Sequence, residues 1–200
     1  MYTLYFLPDA CSLATQVVLH ELQQPVALIN KQQVEDFNTI NPTGAVPVLL
    51  DGETVKTEGA AILLHLLQKH SNSLFPVSAQ GQAQAVQDIM FANATVHPAY
   101  SRLFFIAQHI QDEGAKAQAF NSAASEIARL WQIVEQRLAS QHFLGGEHPS
   151  AADILLAVYV RWGSAFPVEI AIGPNTQRML DAIHARHSFK QALSNEQAHR

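Results

Sequence analysis

The apolar positions of this chain keep one rhythm for the first eighty or so residues and another afterwards. Tyr2–Leu7 is an aromatic and aliphatic run closed by Pro8-Asp9, which predicts a buried strand. Leu13, Val17, Val18 and Leu22 then recur at helical spacing, so a helix is expected to begin near Cys11 or Ser12 and to be closed by Pro25. Val26–Ile29 resembles a second strand, whereas residues 31–40 are polar, carry no period and are expected to be irregular. Val48–Leu50 and Thr54–Lys56 flank Asp51-Gly52, a strong hairpin signal. From Glu58 onward, Ala61, Ile62, Leu66 and Leu67 make a helix face ending near His70.

The order strand, helix, strand, hairpin, helix predicts a small α/β domain over residues 1–77, with a Ser-rich linker around Ser71–Gln80. After Ala79 alanine and glutamine dominate and strand patterns vanish. Helices are predicted at Ala79–Gln111, Lys116–Ser140, Ser150–Phe166, Asn175–Arg186 and Ser188–Asn195, giving an all-α domain over residues 78–200. Ser150 and Asp153 have capping-box spacing and are expected to be structural, with Pro149 where an apolar staple residue would stand.

Composition narrows the partners. Only 14% of the 200 residues are charged, and the net charge is −5. Nucleic acid and anionic membrane both call for clustered Lys and Arg, so neither is expected. No apolar run is long enough to span a bilayer. The ten His show no metal-ligand spacing, and no metal is expected. The single cysteine, Cys11, excludes an internal disulfide and suits a reducing, cytoplasmic setting. The apolar start lacks the basic residues of a signal peptide.

The most informative stretch is Asn41-Pro42-Thr43-Gly44-Ala45-Val46-Pro47-Val48-Leu49. A Val-Pro bond running into an apolar strand is a candidate cis peptide, and a proline there is expected at a sheet edge. Such a bend would leave the N–H and C=O of Val46 unpaired, able to dock an extended peptide like another strand. Glu58 and Gly59 fall where a helix should begin, and its free N–H groups would favour a carboxylate. A small peptide with a free carboxylate is the ligand these features suggest.

These residues resemble a family. Pro8-Asp9-Ala10-Cys11-Ser12-Leu13-Ala14, the Asn41–Leu49 stretch, Glu58-Gly59-Ala60-Ala61-Ile62, Ser150-Ala151-Ala152-Asp153 and Val160-Arg161-Trp162 are similar, in order and spacing, to motifs of the cytosolic glutathione transferases. The cysteine near the start is closest to the bacterial beta class. The resemblance implies a thioredoxin-like N-terminal domain, a helical C-terminal domain, glutathione as co-substrate, a homodimer and a detoxifying transferase of small apolar electrophiles. A glutathione-dependent thiol–disulfide reductase using Cys11, or a non-catalytic binding or regulatory protein on the same fold, are the alternatives.

The resemblance also implies roles. Cys11, at a helix start whose dipole favours thiolate, would bind or contact the glutathione sulfur; its plain alternative is a small buried hydrophobe. Ser12 could hydrogen-bond that sulfur or merely cap the helix, and Tyr5 could do so or pack in the strand core. Val46 would bind the cysteinyl main chain, with Pro47 setting the cis geometry. Glu58 would pair with the γ-glutamyl ammonium while the Gly59 N–H holds its carboxylate, and Lys31 would meet the glycine carboxylate. His97 could share a proton with the thiol, although Pro98 after it is expected to kink the helix. Tyr100, Phe104, Phe105, Trp162 and Phe166 could line an apolar pocket or simply pack a core.

Overall fold

The computed structural model describes residues 1–199 of the chain. Contacts divide it into two compact units, one made of Met1–Gln82 together with the segment from His184 onward, the other of Ala83–Ile183.

In the first unit a four-stranded sheet has the order β2-β1-β3-β4. Strand β1 (Tyr2–Phe6) pairs in parallel with β2 (Val26–Asn30) and antiparallel with β3 (Val48–Asp51), which turns through Asp51-Gly52 into antiparallel β4 (Thr54–Lys56). The alternation in β1 puts Tyr2, Leu4 and Phe6 into the core. Helix α1 (Ser12–Glu21) is buried along most of its length, and α2 (Gly59–Lys69) contributes Ile62, Leu63, Leu66 and Leu67. The proline expected at an edge stands instead one residue before an interior strand: β3 lies between β1 and β4, and Pro47 avoids the ladder by preceding it. Residues 31–40, expected to be irregular, form two short 3₁₀ turns, Lys31–Gln33 and Phe37–Thr39, the first capped by the Asn30 side chain on the Gln32 N–H.

The end of the chain differs most from expectation. Helix α8 (His187–Ala198) packs on α1, within the first unit. Phe189 and Ala192 are buried there. Arg186 grips Glu21 at 2.7 and 2.6 Å and Ser188 donates to the same carboxylate. Burial alone would raise the Glu21 pKa, but these hydrogen bonds outweigh it and hold the carboxyl below its ordinary range.

Helix α3 (Ala79–Met90) carries the chain into the second unit. The single helix predicted to residue 111 is broken: a π-helical segment, Phe91–Val96, leads into α4 (His97–His109), with Pro98 in its first turn. Pro98 has no N–H to give the helix ladder, and it follows directly on the wider i→i−5 winding, in which the His97 N–H donates to the Ala92 carbonyl. Asp112 caps α5 (Glu113–Leu138), its carboxylate accepting the Ala115 N–H at 2.7 Å. The capping box is present at α6 (Ala151–Tyr159), which runs on as a 3₁₀ segment, Val160–Ala165. Helix α7 (Pro174–His184) follows, held at its start by Glu135, whose oxygens accept the N–H groups of Asn175 and Thr176. Trp131, Tyr100 and Tyr159 anchor the core of this unit. Among the described residues no helix is long and apolar enough to cross a membrane.

Candidate active site

The site is assembled from three loops of the first unit. The Val46–Pro47 bond is cis. The bend before it is braced from inside: Asn41, almost fully buried, donates to the Ala45 carbonyl at 2.8 Å and accepts from the Thr43 N–H and hydroxyl. Gly44 sits at φ +67°, and a Cβ there would come within 3.1 Å of Asn38 Oδ1, so this turn requires glycine. Lys31 Nζ donates to the Gly44 carbonyl at 2.9 Å and lies 5.8 Å from the Phe37 ring centre. The cation expected to be a ligand contact therefore clasps the bend itself.

Val46 is half-buried and Pro47 buried. Among the described residues the Val46 N–H has no hydrogen-bond partner. Its carbonyl, expected to be unpaired, accepts the Cys11 thiol at 3.2 Å. Cys11 is the N-cap residue of α1 and its side chain caps nothing. Helix-terminal N–H groups were expected to favour the thiolate; the balance goes the other way. Burial raises the thiol pKa from 9.0 to about 11, the N–H groups of Cys11 and Ser12 lower it less, and the charge of Glu58 adds a further rise. Cys11 is a neutral hydrogen-bond donor at pH 7.

Ser12 points the other way. It is fully buried, and its hydroxyl donates to the Leu7 carbonyl at 3.2 Å and accepts the Leu7 N–H at 3.3 Å. It ties the end of β1 to the start of α1 and caps neither. Tyr5 is half-buried, paired in the sheet with Ile29 and Val48, its ring 5.7 Å from Phe37.

Glu58 is exposed, caps no N–H, and stands at φ +65° immediately before α2. A non-glycine residue in that region costs about 1–3 kcal/mol, and such strain concentrates at functional positions. Gly59 opens the helix, so its N–H and the next two lack intrahelical partners.

The second unit holds the remaining candidates. His97 packs edge-on to Tyr159 at 5.0 Å and Trp162 at 5.1 Å, and burial pushes its pKa below the ordinary value. Phe104 stacks edge-on with Trp162 and Phe166, and Trp162 with Tyr100, making one aromatic cluster. Tyr100 is fully buried with its hydroxyl accepting Trp131 Nε1 at 2.9 Å, which gives it a core role. Phe105 stands apart against His109 and is 61% exposed. Asp153 is structural as expected, accepting the N–H groups of Leu144 and Ser150.

Sequence reasoning missed two supports of the site. Asp9 turns the chain at φ +61° and donates its N–H to Glu196, 187 residues away; Pro8-Asp9 signalled a turn, but nothing local pointed to Glu196. Asn41 was read as part of a motif without its bracing role. Among the described residues no group of three or more His, Cys, Asp or Glu is placed to hold a metal ion.

Comparison with known proteins matches this arrangement. Residues 13–74 match the family model described as glutathione S-transferase, N-terminal domain, and residues 94–186 that of the glutathione S-transferase, C-terminal domain. Glutathione S-transferase GST-4.5 of Xanthomonas campestris is 29% identical over 189 residues, 88% of this chain and 92% of its own. The structure of a glutathione S-transferase from Xylella fastidiosa superposes with a TM-score of 0.90 at 28% identity, over 98% of this chain and 99% of that one. A glutathione transferase from Burkholderia graminis, solved with two glutathione molecules bound per subunit, has a TM-score of 0.81 at 25% identity, over 96% and 87% of the chains. With a thioredoxin-like sheet and cis-proline bend in one unit, helices in the other, and both family models matched in order, the chain belongs to the glutathione S-transferase family and stands among its transferases.

Proposed function

We propose that the chain binds glutathione on its first unit and joins the glutathione sulfur to small apolar electrophiles, as a relative of the beta class. The observation that carries this is the Val46 bend: a main-chain N–H without a partner among the described residues, beside a carbonyl that accepts a neutral thiol. A tripeptide main chain can pair with both groups once the Cys11 S–H swings away. The Gly59 N–H then takes the γ-glutamyl carboxylate and Glu58 its ammonium. Lys31, released from the Gly44 carbonyl, takes the glycine carboxylate.

Cys11 donates its S–H to the glutathione sulfur and so favours the ligand's thiolate. That role suits a thiol whose pKa is pushed up to about 11, while the Ser12 hydroxyl is engaged by Leu7 and Tyr5 packs its ring on Phe37. In the conjugation step glutathione loses its thiol proton to solvent, a sulfur–carbon bond forms, and the leaving group departs with its electron pair. Stabilising the thiolate and holding it near the electrophile account for the acceleration. Neutral His97 and the exposed rings of the second unit, Phe104 and Phe105 ahead of Trp162, Phe166 and buried Tyr100, are assigned to the apolar electrophile. A homodimer in a reducing cytoplasm is the proposed setting, and light scattering should give about twice 22.0 kDa.

The protonated state of Cys11 favours conjugation over thiol–disulfide exchange, which needs an attacking thiolate. Retention on immobilised glutathione, followed by conjugation of a chlorinated dinitrobenzene with release of chloride, tests the proposal. No retention at millimolar ligand ends it. Loss of glutathione-dependent disulfide reduction in Cys11→Ala, with conjugation intact, would transfer the assignment to the reductase.

A further inference from the structure

The turn that delivers Cys11 is held from the far end of the chain. Asp9 sits in the left-handed region at φ +61°, and its N–H donates to Glu196 Oε2 at 3.0 Å. The second carboxylate oxygen, Oε1, accepts Gln16 Nε2 at 3.2 Å, one turn into the helix that begins just after Cys11. Glu196 is 2% exposed and Gln16 fully buried, so both bonds are shielded from competing water. The same seam continues on either side. Asn195 meets His20 at 3.1 Å, Asn30 donates to the His199 carbonyl at 3.0 Å, and the His199 ring packs edge-on to Phe6.

A buried carboxylate is a costly way to join two helices that already share an apolar face. Its particular effect here is geometric. One oxygen fixes Asp9, before Cys11, and the other fixes Gln16, after it, so the short segment that carries Cys11 is held at both ends. We propose that Glu196 is a positioning residue that clamps the Asp9 turn to α1 and thereby keeps the Cys11 thiol against the Val46 carbonyl. Its consequence for catalysis rests on the assignment of Cys11 and Val46 to the glutathione site; its effect on the thiol can be measured without glutathione.

The full chain and its Glu196→Ala and Glu196→Gln variants are compared by the rate at which iodoacetamide alkylates Cys11, the only cysteine, across pH. Releasing the clamp lets water reach the thiol, so Glu196→Ala is alkylated at least about tenfold faster at pH 8 and its half-rate pH moves down. Its glutathione dissociation constant, measured by calorimetry, rises about fivefold or more. Glu196→Gln restores both to within about twofold. Its amide oxygen can accept the Asp9 N–H and its amide nitrogen can donate to Gln16 Oε1, which has no partner among the described residues. A folded Glu196→Ala with an unchanged alkylation profile overturns the proposal. If that variant does not fold, Glu196→Asp, which draws the carboxylate back by one methylene, must move the profile in the same direction, and an unmoved profile overturns it equally. Should the parent protein fail to bind glutathione, the functional assignment falls while the alkylation comparison still decides the role of Glu196.

Discussion

At the scale of single residues the site contains a conflict between helix electrostatics and burial, and burial wins. The N-terminus of α1 offers N–H groups to Cys11, yet desolvation and the nearby Glu58 charge raise its pKa to about 11. Two consequences follow for measurement. The half-rate pH of Cys11 alkylation is near 11 and not near the value of a free thiol. A group whose folded pKa is raised stabilises the fold below its unfolded pKa and loses that contribution as pH climbs through the folded one. The parent should therefore lose on the order of 2 kcal/mol more stability than Cys11→Ala between about pH 9 and pH 11, seen in denaturant titrations at each pH. Glu58 offers a second test. Replacing it by glycine relieves its φ of +65°, so Glu58→Gly should gain about 1 kcal/mol in stability while binding glutathione at least about tenfold more weakly. A variant both less stable and equally tight in binding would contradict the assigned role.

At the scale of elements, local patterns were legible in the sequence and long-range ones were not. The strands, the Asp51-Gly52 hairpin, the cis Val46–Pro47 bond and the Ser150–Asp153 box each depend on neighbours within a few residues, and the sequence carried them. The interior position of β3, the π-helical interruption before His97 and the binding of α8 to α1 depend on partners far along the chain. The same distinction separates the candidate residues. The Cys11, Val46 and Glu58 loops were recognisable from motifs, whereas the inward turn of Ser12 and the hold of Glu196 on Asp9 needed the packed structure. The capping box gives an element-scale prediction. Asp153 is buried and satisfies the Leu144 N–H, the Ser150 N–H and the Ser150 hydroxyl, so Asp153→Ala orphans buried donors and should cost about 2–4 kcal/mol in chemical denaturation. A loss under about 0.5 kcal/mol would mean the box is dispensable.

At the scale of the whole molecule the chain's last helix completes the unit that its first strand begins. Phe189 is buried beside the His184 ring, so Phe189→Ala removes core volume from the first unit and should cost about 3–5 kcal/mol. Amide exchange in β1 should quicken accordingly, and unchanged β1 protection would show that α8 adds nothing to that core. The central claim is that a tripeptide thiol docks as an added strand on the Val46 bend and the α2 terminus. Its most direct test is a titration of isotope-labelled protein with reduced glutathione, following backbone amide resonances. The Val46 and Gly59 amides should shift together along one saturable curve complete below about 10 mM. Saturation elsewhere with Val46 unmoved, or no saturable shift at all, would contradict it.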